Sequence, residues 1–414
     1  MKGGPGQLVV GNCFHLRAAS PRPPPVPLER SLRIAILLNP FDLAVKGGEY
    51  APQLARELLG RGHHVRGFGA PSGVIPRSGA ELDPSGQATK LEFPGVVGFR
   101  PDVVIAYDAL SPAAFLGARA AGKLGVPLVL VEAGTSTGGR WHERALRWCG
   151  ERLWGRYVRK RVSQVIALDP VARAQALDEG FADSKVRVLP QGVDLASFRP
   201  GLTSHLVRHH RILGRVLLYV GRVTPDRGLE VLIHAFARTL GQGRDWSLVI
   251  AGEGPSSARQ SLLALVNRQG ISASVHWLPA PRAEELPGLL GSASLLAVPA
   301  TDDGVRGVQI PRAMACGLPV LASRMPRFEG LVEDEGCGLL VDAGDVVAWT
   351  DALRRASSAP ESRKRWGLRG RQLAEERLGW AVVAREVEAL LIGAVDGVTE
   401  AGSADSPESD ARRA

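Results

Sequence analysis

The stretch RVLLYVGRVTPDRGLEVLIHAF, residues 215–236, determines the predicted fold. It starts with an unbroken apolar run, passes through a turn of glycine, proline and arginine, and ends in a segment with apolar residues at helical spacing. An apolar run without polar alternation is typical of a parallel strand that is buried on both faces. The stretch therefore predicts a strand, a loop and a helix, which together form the repeating unit of α/β domains.

The same unit recurs along most of the chain. Apolar runs rich in Val, Ile and Leu start at Arg33, Val65, Val103, Leu128, Gln164, Val186, Val216, Ser247, Val275, Ser294, Pro319 and Gly338. A polar, basic and weakly periodic segment, 199–215, separates the first six runs from the last six. We therefore predict an α/β protein with two Rossmann-like, doubly wound parallel-sheet domains that face each other across a cleft. Ligands are expected at the carboxyl ends of the strands.

Composition excludes several classes of protein. The 414 residues are 45% hydrophobic and 22% charged, which is ordinary for a globular enzyme. The four cysteines are far apart and form no CxxC pair, so we predict no zinc site and no disulfide framework, and a reducing cytoplasm fits best. No run is long enough to span a bilayer, and the first thirty residues lack the apolar core of a signal peptide. The net charge of +9 favours anionic partners.

Two arginines follow the seventh apolar run. Arg222 and Arg227 flank a proline-containing turn, next to Gly221. Two guanidinium groups at a strand end can clamp a diphosphate and neutralise it as it leaves. The alternative is that both are ordinary solvated surface arginines.

Three other loops carry candidate ligand-binding residues. Gly47 and Gly48 precede the first helix, and paired glycines there let the backbone approach an anion. Gly252 and Gly254 form a GxG that is only a weak dinucleotide signature. After the tenth run, Gly307, Val308 and Arg312 belong to a possible second anion site. Asp303, in the same loop, could accept bonds from sugar hydroxyls or cap the turn.

The segment RWHERALRWCGERLWGRYVRKR, residues 140–161, is helical in pattern and rich in arginine and tryptophan. Leu146, Cys149, Leu153 and Tyr157 fall on one apolar stripe. Such a helix could rest on an acidic membrane surface, at the inner face of the cell membrane, or meet a lipid-linked substrate. The other interpretation is a domain helix whose arginine stems cover the edge of the core.

Taken together, these motifs resemble the family-4 retaining glycosyltransferases of the GT-B fold, over nearly all of 33–391. VLPQGVDLASFRP, 188–200, is similar to the family's interdomain signature, with Gln191 where Asn is usual. VGRVTPDRG resembles its phosphate-binding element, with Arg227 in place of Lys, and VIAGEGP and AMACGLPVLAS also match. The ending from Trp380 resembles the last helix, which crosses back to the first domain.

The resemblance implies a division of the chain into functional segments. We expect a disordered lead-in (1–30), an acceptor-side domain (31–200), a domain that binds a nucleotide sugar (201–379), a crossing helix (380–396) and a disordered tail (397–414). The nucleotide-diphosphate sugar would be a co-substrate, with no cofactor and no metal, and transfer to a glycan, lipid-linked or small-molecule acceptor would proceed with retention. Polysaccharide biosynthesis is the setting that this implies. No nucleic-acid module is recognisable, and aromatic residues are only 5%.

The chain departs from the family pattern at two glutamates. The second usually accepts ribose hydroxyls and falls on Arg312; the first usually touches the donor sugar and falls on Gly304, beside Asp303. Asp303 could replace the first carboxylate, and Glu329 is a further candidate for donor contact. The positions comparable to a frequent histidine of the first domain are Tyr107 and Glu132. Two hypotheses follow: an active glycosyltransferase, or a catalytically impaired GT-B subunit that binds ligands or acts as a scaffold.

Overall fold

A computed structural model of the protein describes residues 30–38, 50–69, 93–134, 148, 150–239, 245–302, 305–328, 331–332 and 336–404, with side chains described up to 398. Residues 1–29 of the predicted lead-in, and the tail beyond 404, lie outside the described residues.

Twelve strands lie within two residues of the twelve predicted starts, so those predictions are confirmed. They are β1 Arg33–Leu37, β2 His64–Phe68, β3 Val103–Tyr107, β4 Leu128–Glu132, β5 Val162–Ala167, β6 Val186–Val188, β7 Arg215–Val220, β8 Trp246–Ala251, β9 Val275–Leu278, β10 Leu295–Val298, β11 Val320–Ser323 and β12 Gly338–Val341. All five positions of β4 and all six of β8 are buried. Both faces of these strands are covered, which explains why their apolar runs do not alternate.

Helices follow most strands and cover the two sheets. They are α1 Tyr50–Gly60, α2 Phe93–Phe99, α3 Pro112–Leu124, α4 Arg156–Arg161, α5 Pro170–Asp178, α6 His205–His209, α7 Leu229–Thr239, α8 Ser256–Arg268, α9 Leu286–Gly291, α10 Gln309–Ala315, α11 Val346–Ser358, α12 Pro360–Leu373 and α13 Trp380–Ala404. A π-helical turn, Glu151–Gly155, leads into α4, and another, Ala374–Leu378, follows α12. Helix α13 continues past the predicted end at 396.

The strands form two six-stranded sheets in which every pair is parallel. The first sheet has the order β2-β1-β3-β4-β5-β6, and the second has β12-β11-β10-β7-β8-β9. The strand order reverses between β1 and β3 in the first sheet and between β7 and β10 in the second. These two points open the crevices where ligands of doubly wound sheets bind. The prediction of two Rossmann-like, doubly wound parallel-sheet domains is confirmed.

The chain crosses between the two sheets twice, and the crossings touch. Val193 donates its N–H to the carbonyl of Leu378, 2.7 Å, and Trp380 donates to the carbonyl of Val193, 3.1 Å. A Cβ on Gly192 would lie 2.3 Å from the Trp380 ring, so the contact requires glycine. Helix α13 then packs Val383, Val387 and Leu391 into the core cluster of the first sheet. His63 and Arg61 both hold Glu388 of this helix, with Nε2 and Nε at 2.9 and 2.7 Å from its carboxylate oxygens.

Candidate functional site

The crevice of the second sheet is bounded by the loops after β7 and β10, and backbone contacts fix the two loops to each other. The Thr301 N–H and hydroxyl both donate to the carbonyl of Asp226, at 3.1 and 3.0 Å. Gly228 has a φ of +66°, and a Cβ there would lie 1.7 Å from the carbonyl oxygen of Pro299. Glycine at 228 is therefore needed both for its backbone conformation and for the close approach of the loops.

Tyr219, near the end of β7, holds the loop that carries Arg222. The buried Tyr219 hydroxyl donates a 2.6 Å hydrogen bond to the carbonyl of Arg222. Burial raises the pKa of Tyr219, and the charge of Arg227 opposes that rise only in part. The phenol therefore stays protonated and keeps this hydrogen bond at neutral pH.

The two predicted diphosphate-binding arginines sit at this crevice in different surroundings. Arg222 is exposed, and its guanidinium makes no hydrogen bond or ion pair with the described residues. The Arg227 Nε lies 2.9 Å from the Asp226 carboxylate, but its N–H does not form a hydrogen bond there and is buried without an acceptor. An arginine N–H that is buried without an acceptor is costly.

The two glycines of the predicted GxG pack against the backbone of the loop after β7. A Cβ on Gly252 would lie 1.8 Å from the carbonyl oxygen of Gly221, and one on Gly254 would lie 1.9 Å from that of Val223. Val223 also donates its N–H to the carbonyl of Glu253, 2.7 Å. These glycines let the loop after β8 pack against the loop that presents the arginines. Their predicted contact with a ligand stays a prediction.

Gly307 and Val308 lie between β10 and α10, as predicted. Gly307 has a φ of +60°, and a Cβ there would lie 2.3 Å from the Phe328 ring, so glycine is needed at this turn. Val308 is half-buried. Their contact with a phosphate or sugar stays a prediction.

Arg312 has a contact that the sequence did not predict. Its guanidinium lies over the ring of Phe198, with Cζ 5.4 Å from the ring centroid, and the side chain is half-buried. Phe198 belongs to the interdomain segment 188–200. The stacking gives Arg312 a structural role at this linker, because a guanidinium is attracted to an aromatic face.

Four predicted site residues lie outside the described residues. They are Gly47, Gly48, Asp303 and Glu329. Their predicted roles stay predictions.

An ion pair that the sequence analysis missed joins the two domains. Arg327, in the loop after β11, is 5% exposed and donates to Asp169, after β5, with a distance of 2.6 Å. Asp169 also caps α5 through the N–H of Ala172, 2.8 Å. Burial lowers the pKa of the half-buried Arg306, the charge of Arg327 lowers it further, and Asp169 opposes both. The local sequence indicates the helix cap, because Asp followed by Pro is typical of a helix start. It carries no sign of the ion pair, because the two residues are 158 positions apart.

Three aromatic rings lie together at the crevice of the first sheet. Tyr50 and Tyr107 pack edge to face with ring centroids 6.3 Å apart, and Tyr50 lies 5.3 Å from Trp380. Both tyrosine hydroxyls are buried and have no hydrogen-bond partner within the described part of the chain. Burial raises the pKa of both, so both are uncharged donors. Glu132 is buried and accepts the N–H of Ala109, 2.7 Å, which fixes the loop after β3.

Among the described residues, no three His, Cys, Asp or Glu side chains cluster as metal ligands. Among the helices described, none combines the length and the apolar character needed to cross a membrane.

Comparison with family models covers both domains. Residues 47–192 match a glycosyl transferase 4-like domain, and residues 213–373 match the glycosyl transferases group 1. The chain belongs to the group 1 glycosyltransferases. The resemblance found in the sequence is thereby confirmed at the level of this family and its GT-B fold.

Three curated relatives are 30–31% identical to this chain over the residues that match. A D-inositol 3-phosphate glycosyltransferase of Salinispora tropica is 30% identical over 72% of this chain and 68% of its own. An MMP alpha-(1->4)-mannosyltransferase of Mycolicibacterium hassiacum is 30% identical over 61% of this chain and 59% of its own. A D-inositol 3-phosphate glycosyltransferase of Corynebacterium efficiens is 31% identical over 50% of each chain. The chain thus spans only about half to three-fifths of the last two relatives.

Solved structures share the fold. The crystal structure of Anabaena HepE in complex with UDP superposes with a TM-score of 0.70 and 20% identity, over 87% of this chain and all of that one. A glycosyltransferase from Rickettsia africae gives a TM-score of 0.72 at 13% identity, over 88% of this chain and 99% of its own.

Proposed function

We propose that the protein transfers a sugar from a nucleotide-diphosphate donor, bound at the β7/β10 crevice, to an acceptor bound at the β1/β3 crevice. The observation that carries the proposal is the pair of arginines at the end of β7. Arg222 has a guanidinium without a partner among the described residues, and Arg227 has a buried N–H without an acceptor. A diphosphate would satisfy both groups with charge-assisted hydrogen bonds.

The same groups account for the chemistry. As the bond between the sugar and the diphosphate breaks, negative charge builds up on the leaving diphosphate, and fixed guanidinium groups stabilise it. The Tyr219 bond to the Arg222 carbonyl and the Asp226–Thr301 contacts hold the loop in place before the donor arrives. Retention and independence from metal belong to this proposal through the family resemblance. The relatives' names and the UDP bound to Anabaena HepE support a nucleotide-sugar donor.

The acceptor site that we propose is the aromatic crevice of the first sheet. The hydroxyls of Tyr50 and Tyr107 are buried without partners among the described residues. Protonated phenols can donate hydrogen bonds to hydroxyl oxygens of a glycan, of the head of a lipid-linked acceptor or of a small polyol. Retaining two buried, unsatisfied hydroxyls is costly, and a bound acceptor would offset that cost.

A second candidate function is a GT-B subunit that binds donor without turning it over. Arg312 stands where the family pattern has a glutamate, and it stacks on Phe198. No carboxylate is therefore available from that position to accept ribose hydroxyls.

Turnover and binding, measured together, distinguish the two functions. Donor hydrolysis or transfer is followed with UDP-, GDP- and ADP-sugars, while nucleotide binding is measured by calorimetry. If the protein is an active enzyme, we expect both nucleotide binding and turnover, and both should be lost in R222A/R227A. If it is a binding subunit, we expect nucleotide binding without turnover with every acceptor extract tested. Turnover that survives in R222A/R227A would refute the proposed donor site.

A further inference from the structure

The helical stretch before β5 turns a charged and apolar surface to solvent. The π-helical turn Glu151–Gly155 runs directly into α4, Arg156–Arg161. Residues four apart on a helix are neighbours on its surface. Two adjacent rows result: the first holds Trp148, Arg152, Arg156 and Lys160, and the second holds Leu153 and Tyr157. We call these six residues the basic-aromatic face.

Contacts within the rows support this arrangement. The Arg152 guanidinium lies over the Trp148 ring, with Cζ 5.7 Å from the centroid. Arg161, four residues beyond Tyr157 and outside the six, lies over the Tyr157 ring in the same way, at 5.2 Å. Side chains four residues apart are therefore neighbours along this stretch.

The opposite side of the stretch is anchored to the domain. Trp154 donates its indole N–H to the carbonyl of Leu110, 3.2 Å, and its ring lies 5.8 Å from that of Phe115. Val158 is completely buried. Leu153 of the predicted apolar stripe therefore faces outward, whereas Tyr157 is partly exposed and also packs edge to face on Phe115, with ring centroids 5.8 Å apart. The sequence analysis left open whether the stripe meets a membrane or the core, and it gave no sign of the π-helical turn that contains Leu153.

The apolar side chains of the basic-aromatic face are unusually exposed for residues of their kind. Trp148 is 64% exposed, Leu153 is 72% exposed and Tyr157 is 37% exposed. Large apolar side chains that cluster at a surface mark a site of interaction.

The charge of this stretch is strongly one-sided. Glu151 is the one acid at positions 150–161, and Arg159 binds it with two hydrogen bonds, 2.6 and 2.5 Å. Arg152, Arg156 and Lys160 make no ion pair within the described part of the chain. The exposed cations are therefore free to meet a negatively charged partner.

We propose that the basic-aromatic face binds the surface of a bilayer that contains anionic phospholipids. Exposed Trp and Leu next to Arg and Lys fit the boundary between headgroups and acyl chains, where apolar rings insert and cations meet lipid phosphates. An oligonucleotide would use the cations but would leave Leu153 in water, so the lipid surface fits the whole face better.

The location of the face indicates the class of acceptor; this step rests on the proposed function. Gly150 packs against Leu110, just beyond the carboxyl end of β3, where a Cβ on Gly150 would lie 2.8 Å from the Leu110 carbonyl oxygen. The Trp148 end of the face thus adjoins the loop beside the proposed acceptor crevice. A membrane bound there would present a lipid-linked acceptor to the cleft.

Vesicle flotation with the full chain tests the membrane contact. The vesicles contain phosphatidylcholine alone or equal parts of phosphatidylcholine and phosphatidylglycerol. We expect binding to the anionic vesicles only, weakened by added salt. R152Q/R156Q/K160Q should lower the partition coefficient about a hundredfold, since each cation near an anionic surface contributes about fivefold. W148S/L153S should lower it about tenfold through lost insertion.

Two control variants match these changes elsewhere on the surface. R355Q/K364Q/R365Q removes two exposed arginines and one exposed lysine from α11 and α12. L213S/L368S removes two leucines that are 75% and 64% exposed. Both should leave flotation unchanged. Equal losses in the control and test variants would overturn the proposal, because binding would then follow net charge or general apolarity.

Two further results separate this proposal from others. If a single-stranded oligonucleotide binds with the same dependence on Arg152, Arg156 and Lys160 while vesicles do not bind, the partner is nucleic acid and the membrane proposal is wrong. Transfer to a water-soluble acceptor should be equal in the wild type and in all four variants. A failed transfer assay with intact flotation would count against the proposed function and not against the membrane contact.

Discussion

The two crevices lie at equivalent points of two similar sheets, yet different groups line them. Among the described residues, the β7/β10 crevice carries the guanidiniums of Arg222 and Arg227, the latter beside the Asp226 carboxylate. The described part of the β1/β3 crevice carries the uncharged hydroxyls of Tyr50 and Tyr107. A charged crevice suits a diphosphate, whereas neutral hydroxyls beside an aromatic ring suit a polyol. The comparison teaches that one sheet topology supplies the place for a ligand, and the loops that follow the strands decide its chemistry.

The strongest test of this difference removes the charge from one crevice only. R222A/R227A should weaken nucleoside-diphosphate binding by about two to four powers of ten, because each charge-assisted contact contributes about 1.5–3 kcal/mol. Calorimetry measures the dissociation constant, and R355Q/K364Q serves as a control for net charge. Acceptor binding should be unchanged. A comparable loss of acceptor binding would show that the two crevices are not chemically separate.

The next test concerns how the charged crevice is built. G228A should destabilise the protein by about 2–5 kcal/mol, because a Cβ at 228 meets the Pro299 carbonyl oxygen and the positive φ adds strain. G270A is the matched control: its φ is +67°, but a Cβ there has no neighbour within 4 Å. It should cost only about 1 kcal/mol. Urea unfolding measures both, and equal costs would contradict the role of the close approach.

A third test addresses the ion pair that joins the two sides. R327M should cost about 3 kcal/mol of unfolding free energy, because it leaves the Asp169 carboxylate without its partner in a mostly buried place. D169N/R327M should recover most of that loss, since Asn can still cap α5. If the double variant is as unstable as R327M, the pair does not account for the effect.

The smallest expected effects compare one tyrosine from each crevice. Y219F should cost about 1 kcal/mol, since it removes the bond to the Arg222 carbonyl, and it should weaken donor binding. Y107F removes a buried hydroxyl that has no partner among the described residues, so stability should hold or rise by about 1 kcal/mol. Its kcat/KM for the acceptor should fall while donor binding stays intact. Thermal unfolding and steady-state kinetics measure both, and a destabilised Y107F would show that its hydroxyl is satisfied.

Local patterns predicted the fold well because buried parallel strands have an unmistakable composition. The apolar runs from Arg33 to Gly338 became twelve strands, and the 215–236 stretch gave the loop and helix that shape the charged crevice. Arg222 and Arg227 were found because they directly follow a strand. Contacts between distant residues were missed: the stacking of Arg312 on Phe198 and the pairing of Asp169 with Arg327 depend on how the two domains meet. No local pattern indicated the π-helical turn Glu151–Gly155, in which Leu153 is 72% exposed.

The most direct test of the account is a thermal-shift comparison of the wild type with R222A/R227A. The ligands are UDP-, GDP-, ADP- and CMP-sugars. At about a hundred times its dissociation constant, a ligand should stabilise the fold by about 2.7 kcal/mol, which raises Tm by a few degrees. We predict that one class of diphosphate sugar stabilises the wild type, that the CMP-sugar does not, and that R222A/R227A responds to none. An equal response in both proteins, or no response in a well-folded wild type, would contradict the diphosphate site at β7 and β10.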